Sequence, residues 1–127
     1  MIVSAWTFLA SEKPLENLRH NNLDDLIVTS NSYYFVDGYT KKPHISEVVM
    51  NYAKRNQQAR PLIEYIVKHL ELADEVELWF VWVDNKKAVP PSPQNIIRCD
   101  ISTLTEAHID NVFWSKGLEA RCLIIKR

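Results

Sequence analysis

Glycine is scarce in this chain, with only Gly38 and Gly117 among 127 residues, whereas typical proteins contain about 7% glycine. A phosphate-binding loop needs several glycines, because its backbone amides have to approach the phosphate closely. The sequence therefore excludes a P-loop, a G-x-G-x-x-G dinucleotide turn and the GXXG loop of KH domains. Gly38 itself follows Asp37, and an Asp-Gly pair between two apolar segments predicts a two-residue hairpin turn.

Motifs for metal binding and nucleophilic catalysis are also missing. Cys99 and Cys122, the two cysteines, each lie in an apolar run, which favours small buried side chains over a disulfide. No pair of the four histidines has i,i+4 spacing, and C-x-x-C, H-E-x-x-H and G-x-S-x-G do not occur. His69 lies in an otherwise apolar stripe, which indicates a buried, hydrogen-bonded histidine. We expect no metal site, no cofactor and no catalytic residue.

A long hydrophobic run is absent as well. The apolar run that ends at Val83 is far shorter than the roughly 20 residues that a membrane-spanning helix needs. The N-terminal segment is largely apolar, but it has no basic region and is interrupted by Ser4 and Thr7, unlike a secretion signal. We therefore expect no membrane association and a cytoplasmic location.

Neither sign of charge is in large excess, because the formal net charge is −1. No global field attracts nucleic acid or repels it. Locally the signs separate: residues 41–60 are mainly basic, and residues 71–84 carry carboxylates with no basic residue. Two solvated faces of opposite sign explain this pattern. The functional alternatives are an acidic surface for a basic partner and a basic surface for an anionic one.

The segment from Glu75 to Asp84 is bulky, aromatic and β-branched, a composition that suits a pleated, half-buried surface. One alternating set of side chains is apolar throughout and consists of Val76, Leu78, Phe80 and Trp82. The other set begins with Glu75 and Glu77 and becomes apolar from Trp79 onward. A strand that is apolar on both faces is covered on both faces, so we predict a long central strand, wet at its start and buried at its end.

Further strands are predicted over residues 2–9, 26–29, 33–36, 96–101 and 118–125. Four helices are predicted. The first runs from a cap at Ser11 to Asn22, the second follows an apolar stripe over residues 45–52, the third runs from Arg60 to Ala73, and the fourth runs from a capping box at Thr103 to Gly117. Five or six strands and three or four helices, interspersed without regular alternation, favour one α+β domain over residues 1–127. We expect a mixed or mainly antiparallel sheet with helices packed on it, ending in a split βαβ arrangement.

The function is predicted from the residues that could lie at the surface. Tyr, Trp and Arg dominate interface energetics, and an acidic stretch speeds the capture of a basic partner. We therefore expect a small, soluble, non-catalytic domain that binds another protein or a second copy of itself. An immunity-type protein that neutralises a basic toxin or nuclease is its most concrete form. The candidate binding residues are Glu75, Glu77, Tyr34, Trp82, Asp84 and Arg98.

Two other functions stay open. A small-molecule-binding protein or a hydrolytic enzyme would use a pocket at the C-terminal end of the central strand, with Asp84, Arg98 and His108 as polar groups. An RNA-binding module would use the basic residues of 41–60 and would show steep salt dependence. The near-zero net charge argues against a nucleic acid partner.

Overall fold

Six strands and two α-helices form the regular structure in a computed structural model of the chain, which describes residues 4–18, 26–30, 39–49, 55–83, 91–113 and 119–127. The strands are β1 (Ser4–Ser11), β2 (Ile27–Thr29), β3 (His44–Val49), β4 (Glu75–Val83), β5 (Ile96–Asp100) and β6 (Arg121–Lys126). The helices are α1 (Arg55–His69) and α2 (Glu106–Phe113). Neither helix is long and apolar enough to cross a membrane.

All six strands belong to one sheet, in the order β2-β3-β1-β4-β6-β5. Neighbouring strands are antiparallel except β5 and β6, which are parallel. β4 lies inside the sheet and pairs with β1 over its length, from Ser4 opposite Val83 to Ser11 opposite Val76. These findings confirm the α+β class, the mixed sheet and the central position of the Glu75–Val83 strand.

Both helices pack on the same face of the sheet, which we call the helix face. The inward residues of α1 include Leu62 and Ile66, and those of α2 are Ile109 and Val112, at the three- and four-residue spacing of a helix. They meet buried strand residues, namely Leu9, Val28, Val48, Val76, Leu78, Phe80, Leu123 and Ile125. Each such side chain contributes roughly 1.5–3 kcal/mol by leaving water, so this layer is the main core.

The opposite face of the sheet, the second face, has a smaller apolar cluster of its own. Phe8 and Trp79 stack there with ring centroids 5.9 Å apart and planes only 7° from parallel. Val81 and Cys122 are buried beside them. This cluster confirms that the central strand is buried on both faces after its acidic start.

The prediction of three or four helices is wrong for the described residues, which contain two α-helices. Ser11 ends β1, and residues 14–17 are not helical. The stripe of Ile45, Val48 and Val49 belongs to β3, where Ser46 and Val48 point to the core instead. Short apolar runs fit a strand or a helix equally well; the β-branched residues of 45–49 favour the strand, and pairing with β1 fixes it.

Two boundaries also differ from the prediction. α1 begins at Arg55, so Pro61 lies inside the helix and not in its first turn. β5 and β6 are direct neighbours, so the β5–α2–β6 unit is a βαβ crossover without an intervening strand, not a split one. The hairpin turn predicted at Asp37-Gly38 and the strand predicted over residues 33–36 lie outside the described ranges.

Candidate functional site

The predicted acidic pair lies on the second face, at the start of β4. Glu75 Oε2 is 3.0 Å from Lys42 Nζ, which is also 3.5 Å from Glu12 Oε1. Burial by itself would lower the pKa of Lys42, but the hydrogen bond and charge of Glu75, followed by those of Glu12, raise that pKa above its usual value. Lys42 therefore stays protonated and neutralises the carboxylates beside it.

Glu77 also has partners inside the chain. Its Oε1 accepts hydrogen bonds from Thr40 Oγ1 at 2.6 Å and from Trp79 Nε1 at 2.8 Å. Tyr39 adds a tilted ring contact with Trp79, at 6.0 Å between centroids. Residues 39–42 are thereby held across the second face. The two carboxylates that were predicted to receive a basic partner bind the chain's own segment.

The other predicted binding residues do not converge on that pair. Arg98 is exposed on the edge strand β5. Trp82 packs into the core on the helix face, where it meets Phe80 edge-on at 5.7 Å. Its buried indole Nε1 has no hydrogen-bond partner among the described residues. Tyr34 and Asp84 lie outside those residues.

The polar groups predicted for a pocket at the end of β4 are not brought together. His108 lies in the first turn of α2, where its Nδ1 accepts a hydrogen bond from the Thr105 N–H at 3.0 Å. Arg98 alternates with Ile97, which packs on the helix-face core, so Arg98 points to the second face. His108 and Arg98 are therefore on opposite sides of the sheet.

A groove of about 350 Å³, which we call the α1 groove, lies between α1 and the segment that follows β1. Pro61, Tyr65, Lys68 and Leu72 line one wall at three- and four-residue spacing, because such residues share one side of a helix. Leu72 is 69% exposed in the turn after the helix. The full lining is Pro14, Glu16, Asn17, Leu18, Pro61, Glu64, Tyr65, Lys68, His69 and Leu72.

The second wall of the α1 groove is held in place by specific hydrogen bonds. The Tyr65 hydroxyl donates to the Glu16 carbonyl oxygen at 2.6 Å. Leu18 and Val28 exchange two backbone hydrogen bonds at 2.8 and 2.9 Å, which fix the end of the segment to β2. Burial, followed by the nearby Glu16 charge, raises the pKa of Tyr65 to about 12, so its hydroxyl keeps the proton that it donates.

A buried serine–histidine contact lies at the inner end of the α1 groove. Ser11 Oγ is 2.7 Å from His69 Nε2 and accepts a hydrogen bond from the Lys13 N–H at 3.1 Å. Burial lowers the pKa of His69, so the ring is neutral at pH 7. The prediction of a buried, hydrogen-bonded histidine is confirmed.

This contact resembles a nucleophile beside its base, but its setting is that of a structural bridge. The Ser11 side chain is fully buried, so a substrate has no path to its hydroxyl. Among the described residues no carboxylate accepts a hydrogen bond from the His69 ring, and a nucleophile–base pair needs such an orienting group. The contact ties the end of β1 to the last turn of α1.

The rim of the α1 groove is charged and unpaired. Glu16, Glu64 and Lys68 are exposed, and none of them has an ion pair within the described part of the chain. Glu64 and Lys68 are four residues apart on α1 but do not form an ion pair. Two carboxylates against one ammonium leave the rim with an excess of negative charge.

Sequence reasoning did not identify the α1 groove. The one available signal was Leu72, an apolar residue just beyond the inward-facing stripe of α1. Its opposite wall is far away in the sequence, since Tyr65 and Glu16 are 49 residues apart, so periodicity within α1 could not reveal it.

No protein-family model, curated protein or solved structure matches this chain. Within the described ranges, no group of three or more histidine, cysteine, aspartate or glutamate side chains is placed to hold a metal ion. The function is therefore argued from the geometry of the chain alone.

Proposed function

We propose that this protein is a non-catalytic binding domain that takes an extended segment of another protein into the α1 groove. The segment would present an apolar side chain beside a lysine or arginine. The observation that supports this proposal is the α1 groove itself. Its walls are largely apolar, and its rim has two unpaired carboxylates, Glu16 and Glu64.

The apolar part of the groove supplies most of the binding energy in this proposal. Pro14, Leu18, Pro61 and Leu72 form its apolar lining. Burying a leucine-sized side chain against such walls is worth roughly 1.5–3 kcal/mol. A single exposed leucine is ordinary on a protein surface, but Leu72 borders a concave site that a partner side chain can fill.

The charges on the rim select the partner and add little affinity. Glu16 and Glu64 favour a lysine or arginine that follows the apolar side chain, and each exposed pair contributes about 0.2–1 kcal/mol. In this proposal the preference for a basic partner belongs to the α1 groove. The Glu75 and Glu77 pair, where the sequence suggested it, is already bound by Lys42 and Thr40.

An RNA-binding role has less support from the same residues. Lys42, one of the basic residues of 41–60, is paired with Glu75 and Glu12. The excess negative charge of the α1 groove would repel phosphates.

The test is a phage-displayed peptide library selected on the purified protein. Enriched peptides should carry an apolar residue near a lysine or arginine, and their affinities are then measured by fluorescence anisotropy. Leu72→Asp should weaken binding by about tenfold or more, and Glu16→Lys with Glu64→Lys by a few-fold. Val67→Asp is the matched control, because Val67 is 45% exposed on α1 but does not line the groove. Peptides that bind Leu72→Asp as tightly as the wild type would refute the proposal.

A small-molecule ligand is the second candidate, favoured by the groove volume. About 350 Å³ falls in the range of 300–1,000 Å³ that is typical of ligand sites. A fragment screen followed by NMR distinguishes the two functions. Fragments that shift the Tyr65 and Leu72 signals at micromolar affinity, with no peptide enriched in the selection, would favour the small molecule.

A further inference from the structure

β5 is an edge strand with an outer side that no other strand covers within the described residues. The open side of an edge strand can pair with an added strand through its backbone N–H and C=O groups. The other edge of the sheet is β2, which is only three residues long. β5 has five residues and contains neither proline nor glycine, so it is the better template.

The side chains of β5 alternate between the two faces of the sheet. Arg98 and Asp100 are exposed on the second face, beside the partly buried Ile96, and neither charge has an ion-pair partner among the described residues. Ile97 and Cys99 are half-buried at the margin of the helix-face core, as is Ile101 in the 3-10 turn that follows the strand. The strand therefore carries two unpaired opposite charges on one face and an incompletely covered apolar row on the other.

We propose that two copies of this chain associate through antiparallel pairing of their β5 strands, with a twofold axis at Cys99. An antiparallel dimer of this kind has its axis perpendicular to the sheet, so each face continues into the same face of the second copy. Centring the axis on Cys99 puts Arg98 of each copy opposite Asp100 of the other. It also puts the two Cys99 side chains opposite each other, and it brings Ile97 of each copy to the 3-10 turn that begins at Ile101 of the other.

The neighbouring registers are less favourable. The twofold axis keeps each side chain on the same face of the sheet. A residue of one copy can therefore lie opposite only those residues of the other copy that are an even number of positions away in the sequence. Centring the axis on Arg98 would oppose the two arginines, and centring it on Asp100 would oppose the two aspartates. Like charges directly opposite each other destabilise a strand pair, whereas opposite charges stabilise it. Among the registers centred on Arg98, Cys99 or Asp100, the charge pattern of β5 therefore favours the one centred on Cys99.

The size of the contact sets the strength of the dimer. In the Cys99 register only Arg98, Cys99 and Asp100 face strand residues of the second copy, because β5 ends at Asp100. A ladder of three residues per copy is small compared with the interfaces of permanent oligomers. We therefore expect a reversible dimer whose population rises with chain concentration. The two sheets would continue across the axis as a single sheet. β5 shares no residue with the α1 groove, so the absence of a dimer would leave the proposed function of the groove unaffected.

Sedimentation velocity over micromolar to millimolar concentrations of the full chain tests the dimer. Arg98→Asp and Asp100→Arg each create like-charge pairs in the Cys99 register and should weaken the dimer at least about tenfold. The double variant Arg98→Asp/Asp100→Arg restores opposite charges and should recover the wild-type dissociation constant. Glu71→Arg, a charge reversal at an exposed position outside β5, should leave the constant unchanged.

A covalent readout checks the register. In the dimer a mild thiol oxidant should join the two chains through a disulfide between the Cys99 side chains, and Cys99→Ser should abolish that product. Cys122 is buried and should not form such a bond. Arg98 and Asp100 are exposed, so each variant should keep the wild-type circular dichroism spectrum. A wild-type chain that stays monomeric throughout, or a dimer that is not weakened by the single reversals and restored by the double one, would overturn the proposal.

Discussion

The buried contact between Ser11 and His69 predicts that stability falls in mildly acidic solution. Burial lowers the pKa of His69 in the folded chain, whereas the unfolded chain has the ordinary value of about 6.5. Below pH 6.5 the unfolded state therefore binds more protons than the folded state. Titration of His69 therefore makes the free energy of unfolding rise with pH. The stability that the neutral ring contributes is lost as pH falls below the pKa of His69 in the unfolded chain.

The size of this effect follows from one titrating group. A single proton changes the free energy of unfolding by at most about 1.4 kcal/mol per pH unit. The loss begins near pH 6.5 and stops at the lowered pKa of the folded state. For a chain of this length it corresponds to a few degrees of melting temperature per pH unit.

Urea unfolding at a series of pH values between 5 and 7.5 measures the effect in the wild type and in His69→Gln. Glutamine can still hydrogen-bond to Ser11 but does not titrate. The difference in unfolding free energy between the two chains should therefore shrink as pH falls below 6.5. Other groups titrate in both chains and cancel in the difference. A difference that is constant over this range would refute the assignment of His69 as a neutral, buried histidine.

Ser11→Ala completes this test by removing the partner of the ring. A buried polar atom that loses its hydrogen bond costs about 1–3 kcal/mol, so the variant should be destabilised by that amount at pH 7. Ser102→Ala, at an exposed position, should have almost no effect. Equal stability of the two alanine variants would show that the hydrogen bond between Ser11 and His69 contributes nothing.

The remaining predictions concern the second face and the two proposed surfaces. Reversing both Glu75 and Glu77 to lysine should lower the melting temperature by several degrees, because Lys42 would lose its main partner and residues 39–42 their attachment; an unchanged thermal melt would contradict these contacts. In the proposed dimer both α1 grooves lie on the same side of the joined sheet. In anisotropy titrations, a peptide with two copies of a selected motif should therefore bind the wild type more tightly than Arg98→Asp. A peptide with a single motif should bind both proteins equally. If the two-motif peptide also bound both proteins equally, the grooves would not act together.

The parts of the fold that the sequence predicts well are those with long, consistent patterns. One alternating set of the nine residues of β4, from Val76 to Trp82, is apolar throughout, and the same alternation places Glu75 and Glu77 together on the other face. β3 is only six residues long, and its apolar positions fit both periods. Its identity as a strand is decided by pairing with β1, which is a tertiary contact that no local window contains.

The electrostatic prediction also depended on contacts that the sequence does not show. Residues 71–84 are acidic as a segment, but the charge that a partner meets depends on which carboxylates the fold has already paired. Lys42 reaches Glu75 because residues 39–42 cross the second face, and Arg127 pairs with Asp74 at 2.7 Å at the end of the chain. A cluster of like charges in a sequence is therefore weak support for a binding surface until its internal partners are known.

The unpaired charges support the two proposed surfaces for the same physical reason. Glu16 and Glu64 lie on separate segments, and neither was notable in the sequence. They become informative because the fold brings them to one apolar groove without a compensating pair. Arg98 and Asp100 are two residues apart on one face of an edge strand, do not form an ion pair with each other, and are correctly spaced to pair across a twofold axis. In both places the fold leaves opposite or excess charge beside partly covered apolar surface, and a partner would satisfy both at once.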